Sequence, residues 1–461
     1  MRNKYFVWFM AAIAATGGLL FGFDSGVISG AIPFMQSDFS LSDSEIENVT
    51  TLGLLGAVLG AAFSGIISDK IGRKRVMLAA AIIFFTGAFG CGSASNLTNL
   101  MFARFCLGIA IGIASFSTPL YIAEISPAHI RGTLVSMFQL LITVGILAAF
   151  VSDSLISDNS NPACWRTMFY VGTVPAIILL VGLAFLPESP RWLISKGREK
   201  DARAILEKIE DPDVLESEIQ RTQLAIKEEG EQMSFTQTFR KKWMIYPLMI
   251  ATLIMFFQQA VGINTVIYYG PAIFLKAGFE GAEAAVMASV SIGVVNVLFT
   301  ILSLFIIDKL GRRKLFFIGM SGMLVTLVLI GCSFLYGMGP YAVVGSMLLY
   351  IAFFAVSMGP LGWLIISEVF PTKVRGVGSS IGSLANWGFN ALVVWTFFKM
   401  INAFTIFTGS DNAGTAYTFF VFAALTVIGM IWGKYFLPET KGVSLEQIEG
   451  HWKNGGKPNE L

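Results

Sequence analysis

Twelve apolar stretches, each long enough to cross a lipid bilayer, constrain this chain more than any other feature of its sequence. A spanning helix needs about 20 mostly apolar residues. A window of that length predicts spans at residues 6–34, 46–68, 76–94, 97–122, 132–152, 165–186, 243–275, 284–307, 315–336, 341–366, 379–404 and 415–436. Charged residues make up 13% of the chain, against about 25% in soluble domains. The sequence therefore predicts an all-α membrane protein with twelve transmembrane helices.

The basic residues are sorted by loop, which predicts the orientation. One face receives the N terminus, the loops 69–75, 129–131, 187–242, 308–314 and 373–375, and the C-terminal tail. That face holds every Lys and Arg except Arg104, Arg166, Lys276 and Lys399. Because cytoplasmic loops carry an excess of Lys and Arg, we expect both termini in the cytoplasm of a multi-pass plasma membrane protein, a bacterial inner membrane protein given its short loops and tails.

Three short patterns occur twice in the same order, with nearly constant offsets. The segments 69–75, 124–132 and 186–189 recur at 308–314, 368–376 and 437–440, shifted by 239, 244 and 251 residues. Such repetition indicates a duplicated six-helix unit, as in transporters built from internal repeats.

The duplication divides the chain into four parts. We predict an N-terminal six-helix half (1–186), a cytoplasmic helical linker (187–242), a C-terminal six-helix half (243–436) and a cytoplasmic tail (437–461). Apolar spacing within the linker predicts two or three short amphipathic helices. The first and seventh spans are over-long and contain glycine, which predicts broken or tilted helices at corresponding places.

The repeats also place matched acids and bases at the cytoplasmic helix ends. Gly72 and Gly311 permit tight reversals, and Asp69 and Asp308 can lie near positive helix N termini. We interpret these charges as an ion-pair gate that closes the cytoplasmic mouth; the alternative is that basic loop residues only fix the topology. The candidate gate residues are Asp69, Arg73, Glu124, Arg131, Glu188, Asp308, Arg312, Glu368, Arg375 and Glu439.

Together these motifs resemble the sugar-porter branch of the major facilitator superfamily over essentially the whole chain. The resemblance rests on the two Asp-Lys-x-Gly-Arg loops and on the segments 17–24 (GGLLFGFD), 187–192 (PESPRW), 257–264 (FQQAVGIN), 359–363 (GPLGW) and 438–442 (PETKG). It implies the major facilitator fold and transport of a monosaccharide. Bacterial galactose–, arabinose– and xylose–proton symporters are the nearest types, and the mammalian glucose facilitators are more distant.

Amide and aromatic side chains lie in spans that are otherwise poor in polar groups. A sugar needs donors and acceptors for its hydroxyls and aromatic walls for its ring. These residues are Gln139, Gln258, Gln259, Asn264, Asn296, Trp363, Asn386 and Trp387. The resemblance carries sugar contacts onto them and adds Phe21, Tyr268, Tyr269 and Gly359 nearby. Taken singly, each amide could instead join two helices. At the position of Asn386, the resembling galactose symporters also have Asn, whereas the xylose symporters have Gln, which favours a hexose.

Asp24 is the only ionisable residue deep in the first span, and Arg104 is the lone base of the fourth. Charges in the membrane are costly, so the two residues are expected to pair. The pair could be purely structural. In the resembling symporters, however, the matching pair is the proton-coupling site, and facilitators typically have Asn at the acid position.

The sequence thus predicts proton-coupled symport of a monosaccharide, a hexose such as glucose or galactose before a pentose. The alternatives are a passive uniporter of the same fold or a sugar sensor, for which the tail is too short to fold as a signalling module. Four scattered cysteines and two distant histidines predict no metal site. We expect no enzyme activity, no cofactor and no nucleic-acid partner; the partners are sugar, protons and the lipid bilayer, and the chain is expected to act as a monomer.

Overall fold

The computed structural model describes residues 4–127, 130–229, 241–370, 374–443 and 445–461. Among these residues, twelve helical segments are long and apolar enough to cross a membrane. Within the described residues the secondary structure is helical, without strands. The predicted fold class is therefore confirmed.

The helices follow the predicted order of spans. The first six spans are α1 (Lys4–Phe39), α2 (Asp43–Ile71), α3 (Arg73–Gly92), α4 (Leu97–Ile125), α5 (Arg131–Ile156) and the pair α6 (Trp165–Val171) with α7 (Thr173–Phe185). Three shorter helices follow, namely α8 (Pro190–Ser195), α9 (Glu199–Ile209) and α10 (Pro212–Glu229). The remaining spans and the tail helix are α11 (Ile245–Ala260) with α12 (Ile263–Lys276), α13 (Ala282–Leu310), α14 (Arg312–Leu335), α15 (Pro340–Val356) with α16 (Met358–Val369), α17 (Arg375–Thr408), α18 (Asp411–Phe436) and α19 (Leu445–Lys453).

The seventh span is interrupted, as predicted, where Gly262 adopts a φ of 86° between α11 and α12. The tenth span is also interrupted, at Ser357 with φ −124° and ψ −88°. This break was not predicted, although Pro360 cannot donate the helical hydrogen bond to Val356. The first span is not broken, because α1 is a single helix of 36 residues; of the two alternatives predicted for it, this leaves the tilted helix.

The glycines of α1 serve packing instead. Gly18, Gly22, Gly26 and Gly30 recur every fourth residue, and a Cβ at any of them would overlap α5. Such a small-residue stripe lets two membrane helices approach closely. The same residues that suggested a break therefore bind α1 to α5.

Contacts between the two predicted halves follow the duplication. Helix α2 packs on α17, α5 packs on α13, and α1 meets α12. Since α2 corresponds to α13 and α5 to α17 in the repeat, the first two interfaces are equivalent. We call the membrane face that carries the turns 69–75 and 308–314 the basic face, and the other one the opposite face.

Candidate functional site

An ion pair joins the first and fourth spans. Arg104 Nη1 donates to Asp24 Oδ1, and the two residues are only 3% and 5% exposed. Helix α2 makes room for the guanidinium, since a Cβ on Gly53 would lie 3.0 Å from Arg104 Nη2. The structure thus brings together the acid and the base that the sequence predicted as partners.

This pair faces a small cavity between the two predicted halves. The cavity is lined by Phe21, Asp24, Ser25, Thr50, Gly53, Leu54, Ala57, Arg104, Ile111, Tyr268 and Trp387. Across it, the rings of Phe21 and Trp387 lie 5.0 Å apart between centroids, so α1 touches α17. Predicted proton-coupling residues and predicted aromatic sugar contacts therefore share one cavity.

Four amide side chains of the second half form a continuous hydrogen-bonded chain. Asn264 Nδ2 donates to Gln259 Oε1 at 2.7 Å, and Gln259 Nε2 donates to Gln258 Oε1 at 3.4 Å. Asn386 Nδ2 of α17 donates to the same Gln258 oxygen at 2.7 Å. The chain connects the break in the seventh span to the eleventh span.

Gln258 also reaches the break in the tenth span. Its Nε2 donates to the carbonyl oxygens of Met358 at 2.7 Å and of Gly359 at 3.2 Å. These carbonyls follow Ser357, where the helix is interrupted. The two broken spans thus meet at one glutamine, and their polar backbone is satisfied inside the protein, as irregular backbone at membrane depth requires.

Three predicted sugar residues lie outside both this hydrogen-bonded chain and the cavity lining. Gln139 is half-buried in α5, Asn296 is buried in α13, and Trp363 of α16 is 39% exposed. Sequence reasoning missed Asn390, which lies one helical turn after Asn386. Its Nδ2 is 3.5 Å from Tyr268 Oη, and its Oδ1 has no hydrogen-bond partner among the described residues. The four-residue spacing from Asn386 would have been the signal.

At the basic face, Arg73 organises a cluster in the first half. Its guanidinium donates to both oxygens of Glu124, from Nε at 2.9 Å and from Nη2 at 3.0 Å, and Nη1 pairs with Asp69 at 2.9 Å. The backbone amides of Arg73 and Lys74 donate to Glu188 Oε1 at 2.9 and 3.0 Å. One arginine and one helix N terminus thus bind three acids.

The second half repeats this arrangement. Arg312 donates to Glu368 from Nε at 3.1 Å and from Nη2 at 2.6 Å, and it pairs with Asp308 at 3.2 Å. Glu439 accepts from the amides of Arg312 and Arg313 at 2.9 and 3.1 Å. The sequence duplication is therefore also a duplication of hydrogen-bond geometry.

The tight reversals predicted at Gly72 and Gly311 are present, with φ of 103° and 85°. The acids at the helix N termini, however, are Glu188 and Glu439. Asp69 and Asp308 lie in the last turns of α2 and α13, where they pair with Arg73 and Arg312, the first residues of the next helices.

The last two candidate gate residues are Arg131 and Arg375. Arg131 Nη2 donates to the Ser126 carbonyl at 3.2 Å, and its Nε has no partner among the described residues. The side chain of Arg375 lies outside the described part of the chain. Each cluster, as described, joins helices of one predicted half to the segment that follows that half.

Comparisons with known proteins extend over the whole chain. The family model described as "Sugar (and other) transporter" matches residues 10–452. The chain is 38% identical over 452 residues to the glucose transporter GlcP of Staphylococcus epidermidis, covering 97% of each protein. It is 36% identical to the galactose-proton symporter of Escherichia coli, covering 100% of this chain and 97% of the relative. A structure of the major facilitator proton:xylose symporter XylE, bound to 6-bromo-6-deoxy-D-glucose, matches with a TM-score of 0.81 at 32% identity, over 98% of this chain and 100% of XylE.

Proposed function

Because the chain belongs to the sugar transporter family of the major facilitator superfamily, we propose that it carries a monosaccharide across the plasma membrane together with a proton. Members of this family are transporters rather than enzymes. We propose a hexose as the substrate, with a pentose as the alternative. The names of two relatives, a glucose transporter and a galactose-proton symporter, support a hexose, as does Asn386.

The observation that carries the proposal is the cavity shared by the Asp24–Arg104 pair and the Phe21–Trp387 contact. Arginine stays charged in proteins, so the titratable partner is Asp24. Protonation of Asp24 cancels its attraction to Arg104. Phe21 lies one helical turn before Asp24 on the same face of α1, so displacement of Asp24 changes the aromatic wall of the cavity. Proton binding and sugar binding are thereby coupled.

For the sugar, we propose the chain of amides from Asn264 to Asn386 as the main polar surface. Hydroxyls donate and accept, and amide side chains offer both functions. Trp363, Trp387 and Tyr268 provide apolar surface for the ring face. Gln139 of α5 and Asn296 of α13 complete the site. These two helices form the interface that is equivalent to the one between α2 and α17.

We further propose the orientation and organisation of the protein. The basic face is cytoplasmic, with both termini inside. Residues 1–186 and 243–436 act as two halves that rock about the central cavity, the segment 187–242 links them, and 437–461 is a tail. The basic-face clusters act in the cytoplasmic gate, and the functional unit is a monomer.

Two other functions remain distinguishable by experiment. In a uniporter of the same fold, Asp24 would be a structural ion-pair partner only. A sugar sensor would bind sugar without moving it. The test is uptake by purified protein in liposomes, measured for a panel of hexoses, pentoses and inositol, with and without an imposed proton gradient. Accumulation against the sugar gradient only when protons flow inward supports symport. Equilibration without accumulation indicates a uniporter, and binding without uptake indicates a sensor.

A further inference from the structure

A second buried charge contact lies at the far end of the molecule from the basic-face clusters. Glu47 is in α2, and Asp69 marks the basic-face end of the same helix. With a rise of 1.5 Å per residue, the two acids are about 33 Å apart along α2. Lys399, on α17, lies about 36 Å along that helix from its first residue, Arg375. The two side chains therefore meet at the opposite face.

The contact is a buried carboxylate held entirely by the other half. Glu47 is 0% exposed. Its Oε1 accepts from the backbone amides of Phe398 at 2.6 Å and Lys399 at 3.1 Å, and its Oε2 accepts from Lys399 Nζ at 2.5 Å. All three donors belong to α17. If α2 and α17 separated at this face, the carboxylate would lose every one of them at once.

Lys399 is arranged to make and release this contact. Its side chain is 39% exposed. Its Nζ donates to the Trp395 carbonyl at 3.0 Å and lies 4.4 Å from the centroid of the Trp395 ring. The ammonium group thus keeps partners in its own helix when Glu47 leaves.

The equivalent interface, between α5 and α13, has a contact at the same face. Asn159, in the loop after α5, donates its backbone amide to Glu283 Oε1 at 2.5 Å. In return, Glu283 donates its backbone amide to Asn159 Oδ1 at 3.3 Å. Glu283 lies in the first turn of α13, as Glu47 lies near the start of α2. Each half therefore offers an acid that accepts backbone hydrogen bonds from the other half.

Among the ion pairs between described side chains, Glu47–Lys399 is the one that joins the two predicted halves. We infer that Glu47 and Lys399 form the extracellular gate of the transporter, with Glu283 and Asn159 as its second, exposed contact. This inference rests on the proposed transport function and orientation. The gate closes the extracellular mouth while the protein is open or opening to the cytoplasm, and it must break before sugar enters from outside.

The test measures the conformational equilibrium directly, in the full chain reconstituted in lipid nanodiscs. Spin labels on cysteines introduced at the exposed positions Ser44 and Ile406 report the distance across the opposite face, in a background in which the native cysteines are replaced. Labels at Arg75 and Lys309 report the basic face. The variants are Glu47→Gln, Lys399→Met and the double variant.

At the opposite face, the measured quantity is the ratio of molecules with a long label distance to molecules with a short one. We expect each single variant to increase this ratio by about 5- to 150-fold. The double variant should shift it no further than the larger single effect, because one contact is lost in all three. Lys399→Arg should keep the closed population. Lys276→Met is the matched control, since it removes a base at the end of α12 that has no acid partner among the described residues.

Unchanged distances in Lys399→Met, or an equal shift in Lys276→Met, would overturn the inference. If Glu47→Gln does not fold, Asn159→Ala provides an independent variant in an exposed loop. Unchanged opposite-face distances in both Asn159→Ala and Lys399→Met would then overturn the inference. These distances need no sugar and no proton gradient. The gate inference can therefore fail while symport stands, and it can hold in a uniporter.

Discussion

Replacing Asp24 by Asn tests the role of the Asp24–Arg104 pair and has a magnitude that follows from the structure. Removing one partner of a buried ion pair costs about 3–5 kcal/mol, because the other charge stays behind. An amide oxygen at the same position can still accept from Arg104, which restores about 1 kcal/mol. We therefore expect Asp24→Asn to weaken the state with the closed pair by about 2–4 kcal/mol.

That range decides whether the pair can drive a conformational change. Each 1.4 kcal/mol is a tenfold change in an equilibrium constant, so the loss corresponds to a shift of about 30- to 700-fold. Protonation of Asp24 removes the same attraction. A shift of this size is enough to invert a tenfold preference between two conformations. The pair is thus energetically sufficient to couple proton binding to the transport cycle.

The assay compares accumulation, exchange and stability in one set of variants. Asp24→Asn resembles the permanently protonated acid, so it should lose uphill sugar accumulation and sugar-driven proton uptake, yet keep sugar binding and counterflow exchange. The double variant Asp24→Leu/Arg104→Met replaces the pair by apolar side chains, which is often neutral for stability. It should regain the thermal stability that Asp24→Asn loses, but not accumulation.

Two outcomes would refute the reasoning. Sustained accumulation by Asp24→Asn under an imposed proton gradient would make Asp24 a structural residue. Recovery of both stability and accumulation in the double variant would show that the pair only holds α1 to α4. Either result would favour the uniporter or a different coupling residue.

Three further predictions concern the amide chain and the basic-face clusters. Gln258→Ala should weaken sugar binding by about 1–3 kcal/mol, since it removes partners from a buried chain; isothermal titration checks this, and unchanged affinity in a folded variant would take Gln258 out of the site. Neutralising Arg73 or Glu368 should favour the form open to the cytoplasm and slow net uptake, while sugar affinity stays within a few-fold; spin-label distances across the basic face that do not move would contradict this. Gly72→Ala should lower thermal stability by the equivalent of about 1–3 kcal/mol, because φ is 103° there and a Cβ would overlap Glu188; Gly132→Ala, with open space around it, is the control and should be nearly neutral.

The spans and the buried pair were accessible from sequence for the same reason. A lipid environment demands long apolar helices and makes each charge within them conspicuous. Asp24 and Arg104 could be paired because each was alone in its span. The same reasoning does not apply to Glu47 and Lys399, which lie 352 residues apart near helix ends, where charges are common.

Helix breaks and helix contacts were harder to predict, because one residue type serves both. Glycine in the seventh span adopts a positive φ and ends a helix, whereas glycine in α1 stays helical and packs against α5. Only the partner helix decides between these roles. The tenth span is interrupted at Ser357, three residues before Pro360, whose ring clashes with the Val356 carbonyl in a continuous helix. Prolines at 33 and 119 lie inside continuous helices, so the break also depends on Gln258, which comes from another span.

The two basic-face clusters and the opposite-face contacts divide the work of the proposed transport cycle. Arg73 ties together the second, third and fourth spans, and Glu188 adds the segment that follows the sixth. Arg312 and Glu439 do the same in the other half. These bonds hold the basic-face helix ends of each half in position, which is their part in the proposed cytoplasmic gate. Contacts between the halves also distinguish the conformations of the proposed cycle, and Glu47–Lys399 is the ion pair of this kind between described side chains. The Glu47–Lys399 contact at the opposite face and the Phe21–Trp387 contact beside the Asp24–Arg104 pair are the contacts between the halves on which the proposed cycle depends.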